Sequence, residues 1–159
     1  MNKLRQVSQS DQTKLAGWLT ISTFKNGELI RETAPMPNKV VTSDGYGRNL
    51  LLRQLAGITT FPIVINTLAV GSGTTAPVDA NIALQTPLVS NIPITEMIVV
   101  NNVLTVKCFV VDANLANGTY AELGLFCSLR LFARILISPT YTKTTGEDTL
   151  FTYTSTFAG

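Results

Sequence analysis

Apolar and polar positions alternate with a period of two at residues 103–111 and 149–157, the mark of strands with one buried face. Residues 18–24 and 29–33 are two strand-like runs on either side of Lys25-Asn26-Gly27-Glu28. Asn-Gly supplies the positive φ angles that a tight turn needs, so the pair is predicted to be a β-hairpin. Pro35-Met36-Pro37 ends it, and Val40-Val41-Thr42 is a short extended piece leading to Ser43-Asp44, either of which can cap a helix. Residues 46–55 then place Tyr46, Leu50, Leu51 and Leu55 near one helical face, with Arg48 and Arg53 outside it and Gly57 at the stop position. Gly45 and Gly47 weaken the first turn, so the helix is expected to be short, about residues 44–56.

The remainder reads as β. Residues 63–70 form one strand, followed by the loop 71–77 and an irregular crossover at 78–89. Residues 92–100 and 103–111 flank Asn101-Asn102, a second two-residue hairpin turn. Strands are expected at 120–127 and 129–137, then a loop with Pro139 and Gly146, then a last strand at 149–157. In that strand Phe151, Tyr153 and Phe157 share one face and Thr152, Thr154 and Thr156 the other. Eight or so strands with turns between them and one helix predict a mainly β fold, an antiparallel β-sandwich. Residues 1–16 read as a polar arm ahead of a single domain at 17–159, since Leu4 and Val7 are the only apolar side chains between Met1 and Lys14.

Composition narrows the function. Of 159 residues 45 % are hydrophobic, enough for a core, yet only 14 % are charged, against about 25 % in a typical soluble domain. The polar remainder is rich in threonine (22) and asparagine (11), so the chain either has a neutral, hydroxyl-rich surface or hides much of it against neighbours, which points towards an assembly component. With no histidine, an imidazole base or ligand is excluded. Cys108 and Cys127 cannot make a cysteine-rich zinc site. A net charge of +2 is too small to advertise nucleic-acid binding. The most apolar stretch, 123–137, is broken by Arg130 and Arg134 and is shorter than the ~18–20 residues of a membrane span. The polar N-terminus lacks the apolar core of a signal peptide, so synthesis without export is expected, and Asn117-Gly118-Thr119 reads as a turn, not a glycosylation site.

Candidate chemistry is sparse. The loop Gly71-Ser72-Gly73 continues Thr74-Thr75-Ala76-Pro77 instead of offering the Lys and Ser/Thr of a phosphate loop, so it reads as a strand-ending turn. Glu122 sits in the apolar run Ala121-Glu122-Leu123-Gly124-Leu125-Phe126. It is either a catalytic acid with a raised pKa or, as favoured here, a structural carboxylate that accepts loop N–H groups or an Arg such as Arg130 or Arg134. The cysteines have no histidine to activate them and read as small buried hydrophobes. Arg48, Arg53, Arg130 and Arg134 read as flanking charges.

Taken in order, Gly71-Ser72-Gly73-Thr74-Thr75-Ala76-Pro77, Ala83-Leu84, Ala121 to Phe126 with Glu122 and Gly124, Leu131-Phe132-Ala133-Arg134 and the closing threonine-rich strand resemble small virion proteins of tailed bacteriophages over roughly residues 17–157. Asn81 stands where that group commonly has an Asp, and its side-chain oxygen can cap a turn equally well. Pro87 stands where an acidic residue often follows. The resemblance implies a non-enzymatic structural protein of the virion, made in the host bacterial cytoplasm, in the tail, neck or baseplate region. Expected partners are copies of itself and other virion proteins, with no nucleic acid, membrane, cofactor or metal; Gly71, Gly73, Thr74, Pro77, Glu122, Gly124 and Arg134 are expected to serve structure. The arm would lie across a neighbour. Two other readings are a capsid decoration (cement) protein and a carbohydrate-binding module for host attachment. In the latter Trp18, Tyr46, Tyr120, Tyr141 and Tyr153 would offer aromatic platforms, although Trp18 is expected in the core.

Overall fold

A computed structural model describes residues 14–158. Most of the expected arm, residues 1–13, lies outside the described residues, and residues 14–16 already belong to the first strand. The predicted hairpin is present as β1 (Lys14–Lys25) and β2 (Glu28–Glu32), with Asn26 and Gly27 both at positive φ. Then follow β3 (Met36–Val40), α1 (Arg48–Leu55), β4 (Ile65–Gly71), β5 (Pro87–Pro93), β6 (Glu96–Val100) and β7 (Val103–Val110). A 3-10 turn, Asp112–Asn114, leads to β8 (Gly118–Cys127), β9 (Arg130–Lys143) and β10 (Glu147–Ala158).

Among the described residues the fold is mainly β with one short helix, and every strand pair is antiparallel. The strands form one hydrogen-bonded path, β5-β4-β8-β9-β3-β1-β10-β7-β6, with β2 beside β1, where the sequence reading expected a sandwich of two sheets. Two segments turn the corners of this path. In β3, Met36 and Pro37 pair with β1 while Asn38 to Val40 pair with β9. On the opposite side, β5 pairs with β4 as far as Pro93, and from Glu96 the chain pairs with β7. Residues 92–100 were expected as one strand. The break comes where Pro93 has no N–H to give and the next two amides change partner, Ile94 donating to Asn66 O (3.2 Å) and Thr95 to Lys107 O (2.9 Å). The two ends of the path are therefore consecutive in the chain, and the sheet curls on itself; strands that switch partners in this way are how packed sheets make corners.

The inner faces of both halves meet in one cluster. Leu19, Ile21, Val106, Phe151 and Tyr153 come from one half, and Leu68, Val70, Leu123, Leu125 and Ile135 from the other. Cys108 and Cys127 are free thiols inside it, as their sequence context suggests. The helix differs from expectation. It begins at Arg48, with Gly47 in the capping position and no side-chain cap from Ser43 or Asp44. Only Leu50 is fully buried, Leu51 is half-buried and Leu55 is 86 % exposed, because eight residues give little more than two turns to lay on the core. Trp18, expected in the core, is 41 % exposed instead, since Leu19 and Ile21 take the inward positions of β1.

Candidate functional site

β8 and β9 lie side by side with Glu122 opposite Leu136 and Gly124 opposite Arg134. Both charged side chains are carried into the interior, Glu122 fully buried and Arg134 nearly so. Arg134 Nε donates to Glu122 Oε2 at 2.8 Å. The same oxygen accepts the Gln85 amide (3.0 Å), and Oε1 accepts the amides of Thr86 (2.7 Å) and Gly73 (3.1 Å). Each carboxylate oxygen thus holds two donors, which fills its lone-pair capacity.

Arg134 extends this cluster to the crossover. Its Nη1 donates to Asn81 Oδ1 (3.3 Å) and its Nη2 to Thr75 Oγ1 (3.4 Å). Asn81 Oδ1 also accepts the Val78 amide at 2.9 Å, the turn-capping role anticipated for an Asn at that place. Thr75 donates its amide (3.0 Å) and hydroxyl (2.9 Å) to Gln85 Oε1. The Ser72 amide reaches Thr86 O at 2.9 Å. The loop after β4 and residues 78–86 are consequently fastened to the middle of β8 and β9.

The glycines make room for this arrangement. A Cβ on Gly73 would stand 2.5 Å from Glu122 Oε1, and one on Gly71 2.3 Å from Thr86 O. At Gly124 it would meet Phe126, Leu84 and Leu131 at 2.8–3.0 Å. Gly71, Gly73, Glu122, Gly124 and Arg134 are therefore brought together. Thr74 is exposed, and Pro77 is half-buried beside Pro37, Asn38 and Lys39 of β3. Thr75, Asn81, Gln85 and Thr86 complete the cluster. Sequence reasoning found Asn81 as a turn cap, but Gln85 and Thr86 bind Glu122 through backbone amides, which carry no side-chain signature.

The chemistry of this cluster is that of a structural lock. Burial pushes the Glu122 carboxyl up, but the Thr86 and Gln85 amides and the Arg134 guanidinium outweigh it and hold the group below its ordinary value. A general acid at neutral pH needs the opposite shift. Of the two arginines anticipated as partners of Glu122, Arg134 is the buried counter-ion and not merely a flanking charge, while Arg48 and Arg53 pair with Asp79 (3.7 Å) and Asp44 (2.8 Å). The Arg130 guanidinium lies over the rings of Phe61 (3.9 Å) and Tyr46 (4.8 Å).

A second polar cluster ties β2 to the β9–β10 turn. Arg31 grips Glu147 with two bonds, Nη1 to Oε1 at 2.8 Å and Nη2 to Oε2 at 2.7 Å, and lies over the Tyr141 ring. Tyr141 OH meets Thr23 Oγ1 (3.1 Å) and Thr149 Oγ1 (2.8 Å), and Lys143 is buried on Asp112 and Asn117 Oδ1. Of the five aromatic platforms, Tyr120, Tyr141 and Tyr153 are buried. Tyr46 is half-buried beside Arg130, and Trp18 alone of the five is exposed. Burial pushes both cysteine thiols up to about 12, so neither is a thiolate near neutral pH.

Among the described residues no three Cys, Asp or Glu side chains converge as a metal site, and no helix is long and apolar enough to cross a membrane. A hollow of about 550 Å³ is apolar and lies between α1, the β6–β7 hairpin and the ends of β1 and β10. No protein-family model matches this chain, and no curated protein or solved structure does.

Proposed function

We propose that this chain is a non-enzymatic structural protein of a tailed-bacteriophage virion, working with copies of itself in the tail, neck or baseplate region. The observation that carries this reading is the fate of the motif residues. The glycine loop, the Ala83-Leu84 segment, the Glu122 strand and the Arg134 strand bear the resemblance to virion proteins, and they meet in a lock whose carboxylate has no free lone pair. A site kept for catalysis would leave its acid reachable, whereas Glu122 is wholly buried. The low charge and the apolar residues left on the surface favour a protein completed by neighbours.

The test is location. An antibody against the purified chain should label the tail, neck or baseplate of the phage whose genome encodes it. Label spread over the capsid shell would favour a decoration protein, and unlabelled particles would overturn the reading. A carbohydrate-binding role keeps one supporting observation, exposed Trp18 beside Thr20, Thr152 and Thr154. Binding on a glycan array that Trp18→Ala abolishes would favour it.

A further inference from the structure

At one end of the hydrogen-bonded path, β6 pairs with β7 along one edge, and among the described residues no strand covers the other. Natural sheets protect such an edge with charge, proline or a covering loop. Here all five side chains of β6 are exposed and four are apolar, with Val99 at 70 % and Val100 at 61 %. The one charge, Glu96, is already tied to Lys107 at 2.7 Å.

The backbone defines what can add. Val100 and Val103 flank a two-residue turn, so they exchange both hydrogen bonds, and the pairs Ile98–Thr105 and Glu96–Lys107 repeat that pattern. Met97 and Val99 therefore turn their N–H and C=O groups towards the open edge.

We propose that this edge receives the same strand of a second copy, antiparallel about a two-fold axis at Ile98. In that register Met97 faces the partner's Val99 and Val99 faces the partner's Met97. All the free groups of both residues pair with each other, giving four backbone hydrogen bonds. Ile98 meets its own copy, Glu96 faces the partner's Val100, and no like charges are opposed. A strand whose free groups and charges match themselves under a two-fold operation fits an isologous contact. Met97 and Val99 also line the 550 Å³ apolar hollow, so the contact brings two such hollows together. The proposal rests on the self-assembly in the reading above and specifies one contact through which it would occur.

The test combines native mass spectrometry with hydrogen exchange on the full chain. The Met97 and Val99 amides should become protected as concentration rises. Val99→Pro removes an N–H that β7 does not use, so it should leave the protomer's melting temperature in place while weakening association about tenfold or more. Ile98→Lys and Ile98→Glu should each abolish the contact, and mixing the two variants should restore it as a heterodimer. An assembly that survives both Val99→Pro and Ile98→Lys would refute this contact and leave self-assembly standing, whereas a monomer at every concentration would refute both. Protection that is independent of concentration, and lost when residues 1–13 are removed, would assign the edge to the chain's own N-terminal segment and overturn the proposal.

Discussion

Glu122 can remain ionised in the interior because two donors reach each of its oxygens, one of them a guanidinium. Removing one partner of a buried ion pair leaves the other charge uncompensated, a loss of about 3–5 kcal/mol. Glu122→Gln should therefore lower the unfolding free energy measured in urea by an amount in that range, seen as a lower midpoint with an unchanged m-value. The double variant with Arg134→Met should lose less than the two singles together. A loss below ~1 kcal/mol would show that the lock does not hold the fold together. Glu147 gives a separate reading against pH. Its hydrogen bonds with Arg31 outweigh desolvation, and the Thr144 amide adds to them, so the carboxyl falls from 4.5 to about 2. A carboxylate depressed in the folded state contributes stability that is present above about pH 4.5 and lost as pH falls towards 2. The melting temperature should drop across that window, and less steeply in Arg31→Gln. An identical slope in the variant would assign the acid sensitivity to other groups.

At the scale of elements, local signals were legible where one residue type answers one backbone need. Asn26-Gly27 announced the first hairpin, Asn101-Asn102 the second, and Gly57 the end of α1. Gly57 lies at φ 72°, its amide donating to Gln54 O and that of Ile58 to Arg53 O, the paired bonds of a glycine-terminated helix. Events that depend on which strand lies alongside were not legible. The switch from β4 to β7 after Pro93 is set by partners that are distant in sequence, and so is the start of α1 at Gly47. At Gly47 the space is set by the carbonyls of Val41 and Phe132, which a Cβ would approach to 1.9 and 2.9 Å. This contrast gives a paired prediction. Gly57→Ala, with open space around it but φ positive, should cost about 1 kcal/mol. Gly47→Ala should cost at least the ~3 kcal/mol at the upper end of overpacking. Equal losses in thermal or urea unfolding would show that α1 is not anchored through Gly47.

For the whole molecule, short strands separated by turn signals announced the mainly β class and low charge announced an unusual surface, but the closure of the sheet was hidden. No periodicity distinguishes two stacked sheets from one path that turns corners at β3 and between β5 and β6. The Glu122 lock was half legible, because an acid in an apolar run demands a partner, and both kinds anticipated, loop amides and an arginine, are present. The exposed apolar edge at Met97 to Val100 connects architecture to the proposed role, since copies that cover one another's edges need few charges. The central claim is that this protein is completed by copies of itself, and its solution mass tests that most directly. Native mass spectrometry across a dilution series should find a discrete oligomer of fixed stoichiometry that dissociates only at low concentration. A strict monomer at every concentration would contradict the account.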